Sequence, residues 1–264
     1  MPSAITAATL YLLITLLQAL RLKGTIAARP SLIILLSLLT VSVHGYSALG
    51  AVLSDAGVNL GFFKVSSLIF LIINLAFLLG LLRRPLLNLL LILYPLSSIA
   101  VMTSALAPDT SQPFAGFSAG MLVHIGSSVL AYAVLTIAAC QAAAVAAQDY
   151  QLRHRHTRGL VQILPPVQLM ESMLFELLWV GLSLLTLAIA SGMVFLEDIF
   201  AQHLVHKTVL TIAAWVLFAT LLWGHHQLGW RSQTAVRFTL SGFAVLMLGY
   251  FGSKLVLEII LQRV

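Results

Sequence analysis

The side chains best suited to chemistry are histidines that fall in or beside long apolar stretches. Six of the eight histidines are placed in this way: His44, His124, His203, His206, His225 and His226. Ionisable groups are costly in hydrocarbon, so those that occur there are candidates for function. The other two, His154 and His156, stand among arginines, as is typical of solvated loop residues.

The chemistry that these histidines favour is haem ligation. A zinc site needs about four close ligands from His, Cys or carboxylate, whereas the chain has one cysteine, Cys140, and few acids in its apolar stretches. A haem needs one or two axial imidazoles, an apolar surrounding and a few cationic partners. The alternative is that each histidine only hydrogen-bonds a neighbouring serine or a backbone carbonyl.

The elements that must position these histidines are membrane-spanning helices. Of 264 residues, 60% are hydrophobic and 8% charged, with a mean hydropathy of +1.04. A soluble domain would carry about a quarter charged residues, and an outer-membrane barrel would alternate apolar and polar positions. The composition therefore predicts an all-α, polytopic integral membrane bundle that forms a single domain over residues 1–264.

Eight apolar segments have about the length that crosses a bilayer. They run roughly over Ala4–Leu20, Ser31–Ser54, Val65–Leu82, Leu86–Leu106, Ser118–Ala147, Leu174–Leu196, Thr208–Gly224 and Phe238–Leu261. The fifth and the eighth exceed a minimal span, so these helices are expected to tilt or to protrude from the bilayer.

Basic residues in the connecting loops predict the orientation. The odd-numbered loops hold ten of them and the even-numbered loops two. Short loops rich in Lys and Arg stay in the cytoplasm, so both termini are expected to face outward. The same distribution explains the net charge of +6. A nucleic-acid binder would instead gather its basic residues in one patch, so no nucleic-acid partner is expected.

The eight segments place the histidines at two depths. His44 is expected about 15 Å, and His124 about 10 Å, from the outer ends of their helices at 1.5 Å per residue. These two can therefore face one ligand in the outer half of the membrane. His225 and His226 fall at the inner end of the seventh segment, too far from His124 to share a small metal with it.

The stretch GLVQILPPVQLMESMLFE leaves two interpretations open. Pro165 and Pro166 prevent a helix from continuing through them. After them, apolar residues repeat at helical spacing with Glu171 opposite, which is compatible with a short interfacial helix. An ordinary loop followed by an early start of the sixth segment fits equally well.

Two stretches resemble the CcsA/HemX-type cytochrome c assembly proteins. MLVHIGSSVLAYAVLTIAA resembles the histidine-bearing helix of that family, with Tyr132 eight residues after His124. The stretch from His206 to Gly252 resembles the family's C-terminal region. Its matching positions are Lys207, Trp215, His225, Gly229, Trp230, Gly242, Phe243, Tyr250, Phe251 and Gly252. The resemblance to CcsA proteins covers about residues 117–258.

This resemblance implies a haem-handling protein of the bacterial inner membrane that performs no bond-making chemistry. It implies that His124 is an outer axial ligand of haem iron and that His225 is a deeper one, His225 being preferred over His226 because it directly follows Trp223–Gly224. Non-covalent, b-type haem is the implied cofactor. The implied partners are apocytochrome c, other assembly subunits and the lipid bilayer. His44 is a further candidate for the deeper site.

Two departures from the family pattern keep other functions open. The tryptophan-rich element expected before Lys207 is replaced by MVFLEDIFAQHLVH, and the last stretch, SKLVLEIILQRV, lacks the family's second outer histidine. His206 is the best replacement for that ligand, ahead of His203. One alternative is a haem-free regulatory or assembly partner that keeps the fold, as HemX-like members suggest. Another is a b-type redox carrier, which requires ligands paired across facing helices.

Overall fold

The computed structural model of the chain is almost entirely helical. It describes residues 1–54, 57–59, 61–107, 118–154, 164–195 and 205–252. The helices are α1 (Pro2–Leu22), α2 (Pro30–Val52), α3 (Phe62–Leu81), α4 (Leu90–Leu106), α5 (Ala119–Arg153), α6 (Val167–Phe195), α7 (Val205–Leu228) and α8 (Gln233–Met247). Two antiparallel strands of two residues each, β1 (Leu53–Ser54) and β2 (Gly57–Val58), form a hairpin after α2. A 3₁₀ turn (Leu87–Leu89) precedes α4, and a π turn (Leu248–Gly252) follows α8.

Seven of these helices, α1 to α7, are long and apolar enough to cross a membrane, when α4 is taken together with its 3₁₀ turn as Leu87–Leu106. Many of their large apolar side chains are exposed, such as Leu13, Leu35 and Leu79. Exposed apolar surface on this scale is unfavourable in water and is expected where a protein faces lipid. The prediction of a polytopic helical membrane protein is thereby confirmed.

Proline and serine residues fix where several helices begin. Pro30 occupies the first turn of α2, where its missing N–H has no helical partner to lose. Ser118 caps α5 by accepting a hydrogen bond from the backbone N–H of Met121 at 3.2 Å. Pro165 and Pro166 immediately precede α6, as their inability to continue a helix predicts.

The predicted segments correspond to the helices, with differences at their ends. α5 reaches Arg153, and its 35 residues correspond to a length of about 52 Å. α6 begins at Val167 and continues without interruption to Phe195, so the early helix start, rather than a separate interfacial helix, describes this stretch. Only the part of the eighth segment up to Gly252 belongs to the described residues.

The helices fall into two compact units, Met1–Ala115 and Gly116–Arg263. In the first unit, α1 packs against α2 and α4, and α3 packs against the same two helices. Its core contains Tyr11, Phe77 and Tyr94, and the Tyr11 and Tyr94 rings meet edge to face at 4.8 Å. The prediction of a single domain over 1–264 stays a prediction.

The second unit is built around the antiparallel pair α5 and α6. Small residues let these helices approach closely, as is common in membrane bundles. A Cβ atom added to Gly181 of α6 would lie 2.5 Å from the Leu135 side chain of α5. In the same way, one added to Gly242 of α8 would lie 2.9 Å from the Phe218 ring of α7. The unit thus holds four closely packed helices that carry most of the candidate residues.

Candidate functional site

His124 lies in the second turn of α5, half-buried against α6. Its Nδ1 is 2.8 Å from the backbone carbonyl oxygen of Ala188. Because a carbonyl oxygen can only accept, Nδ1 donates this hydrogen bond, and the tautomer that does so has its lone pair on Nε2. Metal-binding histidines are usually held in this way, with the second nitrogen donating to a carbonyl or carboxylate.

His225 lies in the last turn of α7 and has the same arrangement. Its Nδ1 is 2.8 Å from the backbone carbonyl oxygen of Trp230, so Nε2 again holds the lone pair. The Phe175 ring of α6 stacks on the imidazole with a centroid distance of 3.5 Å and an interplanar angle of 16°. The hydrogen bond and the stacked ring together fix the orientation of the His225 imidazole.

The turn between α7 and α8 holds the Trp230 carbonyl in place. Gly229 adopts a φ of +67°, which glycine tolerates at no steric cost. The Trp230 indole then covers Gly224, where an added Cβ atom would meet the ring at 2.3 Å. The turn closes on Ser232, whose φ is +47° and whose backbone N–H donates to the Glu171 carboxylate at 2.8 Å. This carboxylate therefore ties the turn to α6.

Helix α6 contacts both histidines at well-separated positions. The His124 contact is Ala188 and the His225 contact is Phe175, which are 13 residues and therefore about 20 Å apart along the helix. A single iron cannot be sandwiched between ligands so far apart. The second unit thus presents two separate imidazoles, one towards each of its ends.

His44 has a different environment from the other two histidines. It is fully buried in the first unit, and both of its ring nitrogens are engaged. Nδ1 is 2.9 Å from the Tyr11 hydroxyl, and Nε2 is 3.0 Å from the Ser67 hydroxyl. Binding a metal would require one of these hydrogen bonds to break. The arrangement therefore gives His44 a place in a polar network within the helices.

The remaining histidines of the described residues are exposed. His206 is exposed in the first turn of α7, at the end of the second unit where α5 also begins. His226 is exposed next to His225 and points away from it by about 100°. His154 is exposed at the end of α5, where its Nδ1 is 2.8 Å from the Tyr150 carbonyl oxygen. His203 lies outside the described residues.

Tyr132 has a structural role that the sequence alone does not reveal. Its hydroxyl donates to the backbone carbonyl oxygen of Leu246 at 2.8 Å, just before α8 becomes a π turn. The rings of Tyr132 and Tyr250 are 5.4 Å apart. Both tyrosines belong to the stretches on which the family resemblance rests. Their presence in those stretches could have indicated a role, but their spacing in the sequence does not show that the two rings are in contact.

Within the described ranges, no three His, Cys, Asp or Glu side chains converge as a metal cluster would require. Cys140 is buried in α5. Zinc chemistry of the usual four-ligand kind thus has no support in the described part of the chain. His124 and His225 are instead single imidazoles, separate from one another and each held by a backbone carbonyl.

Comparisons with known proteins agree with the resemblance. The family model described as "Cytochrome C assembly protein" matches residues 32–261. The inner membrane protein YpjD of Escherichia coli K12 is 35% identical over 206 residues, which cover 78% of each chain. An uncharacterized 28.8 kDa protein of Azospirillum brasilense is 35% identical over 141 residues, covering 53% of this chain and 52% of that one.

No solved structure matches the chain significantly. The relative's designation as an inner membrane protein and the seven apolar helices agree on a multi-pass protein of the bacterial inner membrane. The family model covers far more than half of the residues, and the resemblance drawn from the histidine-bearing helix and the C-terminal region is confirmed. The chain belongs to the cytochrome c assembly protein family.

Proposed function

We propose that this family member binds haem through His124 and His225 and holds it in the membrane for cytochrome c assembly. The observation that carries the proposal is the pair of 2.8 Å hydrogen bonds from the two Nδ1 atoms to backbone carbonyls. Each bond would leave Nε2 as the nitrogen that could hold the haem iron. Haem, when bound, supplies the iron chemistry, and the chain supplies binding and orientation.

The two imidazoles define two stations rather than one site. His124 and His225 contact α6 at points about 20 Å apart, so each would serve a haem at a different depth. At the His124 station, His206 is the candidate second ligand because α7 begins at the same end of the unit as α5. At the His225 station, stacking on Phe175 prevents the ring from rotating. In this proposal, haem is held and handed on without bond-making chemistry.

The direct test is the absorption spectrum of the purified full chain, reduced with dithionite, after production in haem-replete cells. We expect a sharp α-band in the wild type. His124→Gly and His225→Gly should each lower its intensity by about half, because each removes one axial ligand. Added imidazole should restore part of the band by filling the space left by the ring.

Matched controls exist for both positions. His226→Gly alters the exposed neighbour of His225, and His154→Gly alters an exposed histidine with the same type of carbonyl hydrogen bond. Both should keep the full band. If the wild type shows no band even after haem is added, or if the control variants lose as much intensity as the test variants, haem ligation by His124 and His225 is ruled out.

A haem-free assembly partner is the second candidate. Two sequence features favour it: no tryptophan lies between Gly192 and Lys207, and no histidine lies between residues 253 and 264. It predicts that His124→Gly and His225→Gly leave the amount of mature cytochrome c in cells unchanged. A cell-based measurement of covalently attached haem in membranes and periplasm therefore separates the two candidates, provided that the variants accumulate like the wild type.

A further inference from the structure

Glu171 is a buried acid in the first turns of α6, with a relative exposure of 9%. Its carboxylate accepts a hydrogen bond from the backbone N–H of Ser232 at 2.8 Å. A buried carboxylate is costly unless donors or positive charge compensate it. Ser232 is the N-cap of α8, and the N-terminus of a helix carries a partial positive charge. The start of α8 therefore compensates the Glu171 carboxylate.

Ser232 depends on this partner because its backbone conformation is unfavourable. Its φ of +47° lies in the left-handed region, which costs free energy for residues other than glycine. Such conformations persist where the surrounding structure over-determines them. The Ser232 side chain makes no capping hydrogen bond to α8. The bond from its N–H to Glu171 therefore holds the residue in this conformation.

The same turn carries the acceptor that orients His225. The backbone carbonyl of Trp230 lies 2.8 Å from Nδ1 of His225. Only Arg231 separates Trp230 from Ser232 in the chain. A change of backbone torsion at Ser232 would therefore reorient the short segment that presents this carbonyl to the imidazole.

Helix α6 contacts His225 a second time, one turn after Glu171. Phe175 follows Glu171 by four residues, so the two side chains project from one face of the helix. The Phe175 ring stacks on the His225 imidazole at a centroid distance of 3.5 Å. This face of α6 thus fixes the plane of the imidazole through Phe175 and the place of its acceptor through Glu171 and Ser232.

We propose that Glu171 is a positioning residue that selects the tautomer of His225, acting through Ser232 and the Trp230 carbonyl. With the carboxylate in place, the carbonyl keeps the proton on Nδ1 and the lone pair on Nε2. Without it, the turn relaxes and the imidazole populates both tautomers. The consequence for haem rests on the proposed function, whereas the tautomer itself can be measured in the haem-free chain.

The test compares two substitutions of similar size that differ in their ability to accept a hydrogen bond. Glu171→Gln keeps an acceptor oxygen, and Glu171→Met fills the space with a thioether, which is at most a weak acceptor. The full chain is labelled with ¹⁵N-histidine and studied by ¹⁵N NMR in detergent, without haem, at about pH 8, where imidazole is ordinarily neutral. The signals of His225 are those that disappear in His225→Gly.

We expect the wild type and Glu171→Gln to show one His225 tautomer, with the proton on Nδ1. Glu171→Met should lose most of this form. The His124 signals should stay unchanged in the same spectra and show that the chain is folded. Ser172→Ala, at the exposed position beside Glu171, is the matched control and should resemble the wild type. Glu171→Ala should behave like Glu171→Met and replaces it if the methionine variant does not fold.

Two results would overturn the proposal. The first is a wild-type His225 tautomer in a folded Glu171→Met or Glu171→Ala chain. The second is an equal loss of the Nδ1-protonated form in Glu171→Gln, which would show that acceptance of the Ser232 hydrogen bond is not what matters.

A second measurement separates this proposal from haem binding. In the reduced, haem-loaded chain, Glu171→Met should weaken or shift the part of the α-band that His225 contributes, and Glu171→Gln should keep it. A wild type without an α-band would overturn the haem proposal alone, because the tautomer is measured without haem. An intact His225 band in a Glu171→Met chain that has lost its tautomer preference would remove the consequence for haem.

Discussion

The number of free ring nitrogens separates the histidines that sequence alone treats as equivalent. His44 and His124 both lie in apolar helices at similar predicted depths. Both nitrogens of His44 meet hydroxyl groups, whereas His124 uses only Nδ1, which donates to the Ala188 carbonyl. An imidazole whose two ring nitrogens are both hydrogen-bonded stabilises the fold. An imidazole that keeps a lone pair on one nitrogen can bind a metal.

Replacement of His44 should therefore affect stability and leave the haem signal unchanged. In His44→Phe, Tyr11 and Ser67 each lose a buried partner, which should lower the free energy of unfolding by about 1–3 kcal/mol. The measurement is unfolding of the purified chain by titration with a denaturing detergent. His154→Phe, at an exposed position, is the control. Loss of the reduced α-band per folded molecule in His44→Phe would show instead that His44 is a ligand.

Among the elements, the turn between α7 and α8 orients the side chain of His225, which is carried by α7. The Trp230 ring rests on Gly224. The Trp230 carbonyl accepts a hydrogen bond from the imidazole of His225, which directly follows Gly224. Side chain and main chain of one residue thus fix both the end of α7 and the tautomer of its histidine. The glycine is required because there is room for the indole only where a Cβ atom is missing.

A single methyl group at Gly224 should disturb this arrangement. In Gly224→Ala, the new Cβ atom would lie 2.3 Å from the rigid indole, so Trp230 and its carbonyl must move. We expect the part of the α-band that His225 contributes to weaken or shift in wavelength, with little change in the part from His124. The measurement is the reduced spectrum compared with that of His225→Gly.

Gly126→Ala provides the control for this prediction. Gly126 is also a helical glycine, but an added Cβ atom there meets nothing within 4 Å. Its spectrum should equal that of the wild type. Equal spectra for Gly224→Ala and Gly126→Ala would contradict a role for Trp230 in orienting His225.

The helices themselves could largely be predicted from hydropathy and proline positions. Pro165 and Pro166 correctly predicted the boundary before α6, since neither residue can continue a helix. Their sequence did not decide between a separate interfacial helix and an early start of α6. That choice depends on contacts with α5, where Gln141 donates to the Met170 carbonyl and Gln148 to the Pro165 carbonyl. These partners come from distant segments, which local pattern does not reveal.

For the whole molecule, the candidate histidines could be named from the sequence, whereas their hydrogen-bond partners could not. His124 and His225 follow from the family resemblance, because the motifs around them occur in the family order. The Ala188 carbonyl lies 64 residues from His124 in the chain and carries no side-chain signal. In the first unit, residues of α1, α2, α3 and α4 likewise line one pocket, and no pattern in the sequence shows that they meet.

The orientation of the whole protein is the remaining prediction from the loops. In a Cys140→Ala background, Thr25→Cys marks the basic loop after α1, and Leu53→Cys marks the hairpin after α2. A membrane-impermeant maleimide added to spheroplasts should label Leu53→Cys at once, because the positive-inside rule places that loop outside. Thr25→Cys should be labelled only after the membrane is permeabilised. The reverse labelling pattern would invert the topology.

The hydrogen bonds of His124 and His225 also bear on how this protein can diverge. Both acceptors are main-chain oxygens, at Ala188 and Trp230. Substitution of the alanine can leave its carbonyl untouched, so sequence drift at that position does not by itself erase the bond. Substitution of small residues such as Gly181 and Gly224 can, however, change the path of the backbone and thereby break these hydrogen bonds. Among distant homologues, we therefore expect selection to preserve helix spacing around the histidines rather than a polar side chain bonded to them.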